Sequence, residues 1–305
     1  MGQDGPQQLA VCASTACALP PGCWRRAMGC CFSSEAGGGG GGGRLLGSGG
    51  GRYTPPTSAQ RGQRWRATGL VALRGAKLKA LPADVAAVGE AARTLDLAQN
   101  RLTTLGEAVS GMPQLTRLVL SDNLLEALPE AVGRLPQLKV LLVDGNRLTV
   151  LPPLSLPRLR ELAVARNRLQ ALPPMGACEQ LQKLDACHNE LRSLPPSLGS
   201  CAQLQELDVS HNALSVLPTE LAALQKLRVL RADANGIAAA GVPSEMLAQC
   251  ALLHTLSLHD NPVRRDELEE VDGWAAMEKR RRARVQKQID GGVLLDGVDD
   301  GVDRR

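Results

Sequence analysis

Aromatic residues are nearly missing from this chain. They make up 2% of its 305 residues, and the one Phe and one Tyr both lie before residue 54. Any core beyond that point is therefore aliphatic and largely leucine, which favours regular stacking over a mixed globular interior. Long apolar runs are absent too: nothing approaches the roughly 18 consecutive apolar residues of a membrane-spanning helix. Leu9 to Leu19 is mildly apolar, but only Asp4 is charged before it, and without a basic leader it does not read as a secretory signal. A transit peptide is the weaker alternative, because acids are scarce before Glu35 while Arg25 and Arg26 are present.

Cysteine is present but not arranged as a disulfide framework. Five of the nine (Cys12, Cys17, Cys23, Cys30, Cys31) fall in the irregular start of the chain, and a reduced, intracellular compartment is expected. Gly37 to Gly43 is an unbroken glycine run, yet no Gly-Lys-Ser/Thr follows and no strand precedes it. It reads as a flexible linker, not a phosphate loop.

What the sequence has is a repeat over residues 70–263. Its marker is an asparagine series: Asn100, Asn123, Asn146, Asn167, Asn189, Asn212, Asn235 and Asn261, spaced 23, 23, 21, 22, 23, 23 and 26 residues apart. Aliphatic residues stand at minus five, minus three and plus two, as in Leu95, Leu97, Asn100 and Leu102. An earlier copy, Val71, Leu73 and Leu78, carries Ala76 in the asparagine slot, giving nine units with a degenerate first. Alternating aliphatics make a strand that buries one face. The turn after it must tuck a polar side chain inside, and Asn offers both a donor and an acceptor to the backbone of adjacent turns. Leu-Pro pairs at 81–82, 128–129, 151–152, 172–173, 194–195 and 217–218 stop the strand and lead to the other side.

These residues resemble the short, 23-residue Ras-group class of leucine-rich repeats, with its L-x-x-L-P-x-x-L-x-x-L spacing. The tail, His259-Asp260-Asn261-Pro262, Glu267-Leu268, Val271-Asp272-Gly273-Trp274 and the basic run after Met277, is similar to the closing segment of the leucine-rich repeat-containing protein 57 family and its plant and algal relatives. The resemblance implies an α/β leucine-rich-repeat solenoid. In it a curved parallel β-sheet forms the concave face, short helical or irregular turns the convex face, and a helix caps the C-terminal end. It implies a cytoplasmic binding module, often in signalling, and supplies no catalytic residues. The expected organisation is a disordered extension at 1–66, the repeat domain at 67–265, a capping helix with a basic run at 266–289, and an acidic disordered tail at 290–305. Three departures stand out: Ala76, a long N-terminal extension, and three extra residues around Ile237 to Gly241, expected to bulge on the convex side.

Repeat phase assigns directions to side chains, because successive strand residues point to opposite faces. The positions between framework leucines place Asp96, Arg117, Asp144, Glu161, Lys183, Asp185, Glu206, Asp208, Arg231 and Asp233 on the concave sheet. Acids gather in the middle and late units, and a partner surface bearing Lys or Arg is the complement. The competing reading is that these charges only keep an exposed sheet soluble.

The remaining motifs are weaker. Cys178, Cys201 and Cys250 each lie 11 residues before an Asn of the series, where other units hold Met112, Leu135, Leu156 and Leu224, so they read as small core hydrophobes. His188 and His211 share one slot in adjacent units, with Cys187 beside the first, but a zinc site would lack its fourth ligand. No metal and no cofactor is expected. Asp266 to Gln288 reads as a helix with Leu268, Val271, Trp274 and Ala275 on one stripe. Its run Lys279, Arg280, Arg281, Arg282, Arg284 and Lys287 could meet anionic lipid or nucleic acid, though a solvated face is the commoner explanation. Nucleic acid is disfavoured as the main ligand, since Arg93 to Val263 holds 15 basic and 16 acidic residues. Met28-Gly29-Cys30-Cys31-Phe32-Ser33 matches M-G-x-x-x-S. If translation began at Met28, Gly29 would take myristate and Cys30 and Cys31 palmitate, tethering the chain to the inner face of a membrane.

The reading is a monomeric, cytoplasmic, non-enzymatic scaffold or adaptor binding another protein, such as a small GTPase or a phosphatase regulator. The alternative is a membrane- or nucleic-acid-associated protein acting through its basic C-terminal helix and acylated N-terminus, with cytoskeletal or ciliary association left open.

Overall fold

The computed structural model describes residues 57–290. Nine three-residue strands form one parallel sheet in chain order: β1 Leu70–Ala72, β2 Thr94–Asp96, β3 Arg117–Val119, β4 Val140–Leu142, β5 Glu161–Ala163, β6 Lys183–Asp185, β7 Glu206–Asp208, β8 Val229–Arg231 and β9 Thr255–Ser257. The register is the repeat made visible: Val71 faces Leu95, Leu95 faces Leu118, and so on to Leu230 and Leu256. Each middle residue is buried, and its two neighbours point to the open face. The sheet does not close, and behind it the leucine slots merge into one continuous core from Trp65 to Met277.

Each asparagine is the rivet between two units. Asn123 donates through Nδ2 to the Leu120 carbonyl (2.9 Å) in its own turn and to the Leu97 carbonyl (3.0 Å) one unit back. Its Oδ1 accepts from the Leu102 N–H at 3.1 Å. The same pattern recurs at every asparagine of the series, down to Asn261, which bonds the Leu258 and Ala232 carbonyls and the Ile237 N–H.

On the opposite face proline introduces the helical turns. Pro82 caps helix α2 (Ala83–Ala86), and Pro129, Pro195 and Pro218 precede 3-10 turns at Glu130–Arg134, Pro196–Ser200 and Thr219–Ala223. No helical turn forms between β4 and β5 or between β5 and β6. Those are the units with asparagine spacings of 21 and 22, too short to spare residues for one. Their Leu-Pro-Pro segments have no regular secondary structure, and the Ser155 N–H donates to the Gly133 carbonyl at 2.7 Å. In the long unit the extra residues form a 3-10 turn, Ala239–Gly241, and helix α3, Ser244–Gln249. The Gly241 carbonyl accepts from the Leu217 N–H, so the insertion is laced to the preceding unit.

Two expectations are corrected. The end of the segment expected to be disordered is helix α1, Ser58–Thr68, closed by a Thr57/Gln60 capping box and anchored by the buried Trp65. Polar composition concealed it, because only one of its residues is buried. The C-terminal helix is broken into α4, Arg265–Glu269, and α5, Trp274–Asp290. Gly273 sits between them at φ 86°, where an added Cβ would stand 2.8 Å from the Ala248 nitrogen, so helical continuation is blocked on both counts. Gly29, Cys30 and Cys31 lie outside the described residues.

Candidate protein-binding face

The open sheet face is organised in rows that cross the strands about 4.8 Å apart. One row reads Glu161, Lys183, Glu206, another Asp185, Asp208, Arg231. A third, two residues past the end of each strand, carries Asp144 and Asp233. Toward the N-terminal side the same rows hold Val119, Val140, Leu142 and Ala163. All the expected face residues, Asp96 and Arg117 included, stand in these rows. Aliphatic residues concentrate on β3–β5, beside Arg117 and Glu161, and acids concentrate on β6–β8, beside Lys183 and Arg231.

Several of the acids also serve the backbone. Asp96, Asp185 and Asp208 each accept, through Oδ1, from the N–H two residues on, at 3.0, 3.1 and 3.1 Å, bending the chain as the strand ends. Asp208 is 5% exposed. Burial, and then the neighbouring charges of Asp208 and Asp144, push the Asp185 carboxyl upward against the pull of the Cys187 N–H. Asp233 is raised by burial as well, although the Ser257 hydroxyl (2.5 Å) and the His259 N–H (2.9 Å) donate to it. Lys183 reaches Glu206 at 3.6 Å, a half-exposed pair of small energetic weight.

A column along the rim escaped the sequence reading. The residue before each asparagine is left-handed: Gln99, Asp122, Gly145, Arg166, His188, His211, Ala234 and Asp260 all have φ between 50° and 66°. At Gly145 the column is empty, and Arg166 crosses the gap to Asp144 Oδ2 (3.1 Å) and to Asp122 Oδ1 (3.3 Å), two units away. His188 and His211 stack with centroids 4.0 Å apart and planes 8° from parallel. Parallel rings at that distance cannot both place a nitrogen lone pair on one ion, and among the described residues no group of three His, Cys, Asp or Glu could hold a metal. Burial and then the neighbouring ring lower the His188 pKa. The signal was present in the sequence as a slot, but its direction depended on the left-handed turn.

Cys178, Cys201 and Cys250 are buried, and burial pushes the Cys201 thiol up to about 12 and the Cys250 thiol up to about 11. Part of the basic run on α5 docks the cap, and part pairs within the helix itself. Arg280 donates to the Leu253 and Leu247 carbonyls at 3.1 and 2.5 Å. Arg281 and Arg282 pair with Glu278, and Arg284 donates to His254 Nε2 at 2.6 Å. No helix among the described residues is long and apolar enough to cross a membrane.

Known proteins agree with this architecture. A family model described as leucine rich repeat matches residues 90–148 and 179–237. The plant intracellular Ras-group-related LRR protein 7 of Oryza sativa subsp. japonica is 40% identical over 60 residues, 19% of this chain and 23% of that protein. Protein 8 of the same series and organism is 37% identical over 61 residues, 20% of this chain and 16% of that protein. The match thus spans less than a quarter of either relative. Internalin C2 of Listeria monocytogenes superposes with a TM-score of 0.51 at 25% identity, over 62% of this chain and 80% of its own. With the asparagine rivets and the nine parallel strands in hand, the fold is a leucine-rich-repeat solenoid, and its repeats are similar to those of the plant intracellular Ras-group-related LRR proteins.

Proposed function

We propose that this protein is a scaffold or adaptor whose open sheet face takes a protein partner bearing basic residues. The observation that carries the reading is the in-register acidic pair Asp185 and Asp208, flanked by Glu161, Glu206, Asp144 and Asp233. Asp185 is half-buried and Asp208 buried; like charges side by side cost stability, Arg231 beside Asp208 and Lys183 beside Glu206 offset part of it, and a cationic partner gains from neutralising the remainder. Curved repeat sheets expose extended binding surfaces of this type. The aliphatic strip Val140 and Leu142 would supply apolar contact beside the charge. By the Ras-group likeness, a small GTPase or a phosphatase regulator in a signalling role is the class of partner to try first, with the scaffold a monomer in the cytoplasm.

The test is affinity capture with the full chain against a triple variant, Asp185→Asn, Glu206→Gln, Asp208→Asn, which keeps side-chain shape and removes charge. Partners held by the face are lost by the variant; an unchanged partner set contradicts the reading. The second reading, a basic helix on an anionic surface, has less to draw on because Arg280 and Arg281 are occupied within the cap, while Lys279, Arg282, Arg284 and Lys287 remain exposed.

A further inference from the structure

The rim column contains two gaps, and the molecule fills one of them itself. At Gly145 the guanidinium of Arg166 lies across the gap and meets Asp144, the residue just before it, and Asp122 in the same column. Asp144 spends Oδ1 on the Ser121 hydroxyl (2.6 Å) and turns Oδ2 to the arginine. The second gap is at Ala234, and its surroundings resemble the first with the order reversed. Asp233 stands just before it and spends Oδ1 on the Ser257 hydroxyl and the His259 N–H, both one unit later, where Asp144 bonds the serine one unit earlier, and Asp260 occupies the next place in the column. On the other side is an imidazole: His188 is half-buried within the stack, whereas His211 is exposed and ends it. No arginine occupies this column beyond Arg166.

We propose that the Ala234 gap is the seat of a partner's arginine, whose guanidinium stacks on the outer face of the His211 ring and meets the Asp233 carboxylate, as Arg166 meets Asp144. Arginine suits the place better than lysine because it is planar, stacks on aromatic faces and pairs with a carboxylate through fixed N–H donors. A nucleobase would also stack, but its phosphates would meet Asp208, Asp233 and Asp260. The inference rests on the acidic-face reading and sharpens it: it names the side chain and the position where that side chain docks.

The chain has four histidines, so imidazole signals of the full protein labelled at histidine can be assigned with His211→Gln and its counterparts. Titration at about pH 8, above the ordinary histidine range, uses Nα-acetyl-arginine amide, Nα-acetyl-lysine amide and Nα-acetyl-phenylalanine amide as probes. The arginine probe is expected to move the His211 signal saturably, with an apparent affinity about threefold above the lysine probe, and to leave His254 in place. Ala234→Gln should abolish the response without unfolding the protein, since Gln99 already holds the same left-handed position at φ 58°. Equal responses to arginine and lysine, a stronger response to phenylalanine, or an Ala234→Gln protein that still responds would each overturn the proposal. Partner capture that survives Ala234→Gln but is lost with Asp185→Asn and Asp208→Asn would overturn the arginine seat alone. Capture that survives the acidic-row variants while His211 still prefers arginine would overturn the face reading alone.

Discussion

Removing the Asn146 side chain would strand several backbone groups at once. The Leu125 N–H loses its acceptor, and the Leu120 and Val143 carbonyls lose a donor, in a place where Asn146 is only 8% exposed. Unsatisfied buried groups cost about 1–3 kcal/mol each, and partial relaxation brings the expected loss for Asn146→Ala to about 3 kcal/mol, read by urea unfolding. Asn235→Ala should cost about half as much, because its surroundings are half-buried and water can replace the amide. Chemical reactivity follows burial too. Cys201, with its thiol pushed up to about 12, should resist alkylation in the native protein and react once it is unfolded; native-state labelling at the rate of a free thiol would contradict that. At this scale the sequence was most informative. The asparagine spacing alone located each rivet, and the face residues followed from strand alternation. The Arg166 crossing and the His188–His211 stack were not readable, because a left-handed turn decides where those side chains point, and phase arithmetic assumes a regular strand.

Among the elements, the short central units depend on close approach. A Cβ added at Gly133 would clash with the Pro153 carbonyl oxygen, a backbone atom that cannot swing aside. Gly133→Ala should therefore lose about 2 kcal/mol, visible in the same urea transition, whereas Gly62→Ala, with nothing near its Cβ, should not destabilise. The C-terminal cap has its own pH dependence. His254 Nε2 accepts from Arg284 while Nδ1 faces the Thr255 hydroxyl at 3.0 Å. Burial, then Arg284 and Arg228, lower its pKa from 6.5 to about 4. Below pH 6.5 the unfolded chain takes up a proton that the folded cap refuses, so this contribution is complete above 6.5 and is lost as pH falls toward 4. Asp185 and Asp233, raised by burial, act with the opposite sign, so a local probe is needed. Hydrogen exchange of the α5 amides should quicken as pH falls through that window, after correction for intrinsic rates, more than exchange of the β4 amides. Equal changes in both would contradict the assignment. The break before α5 was hidden from a periodicity argument: Leu268, Val271 and Trp274 fall on one stripe whether or not Gly273 interrupts the helix.

At the scale of the repeat array, each unit is riveted to its neighbours, and the sheet face is what the array exposes in common. Family likeness accounts for that platform, and the particular charges on it were assigned from residue positions. The partner is not encoded in the repeat pattern, since framework leucines and asparagines are the same whatever is bound. The most direct measurement is therefore one of place. A photo-crosslinking residue at Val140 or at Val229, on the sheet face, is compared with one at Val150 or Val216, which are 68% and 48% exposed outside the strands. Adducts with a common partner from Val140 and Val229, and none from Val150 and Val216, are the predicted result; adducts from Val150 or Val216 alone would contradict the account.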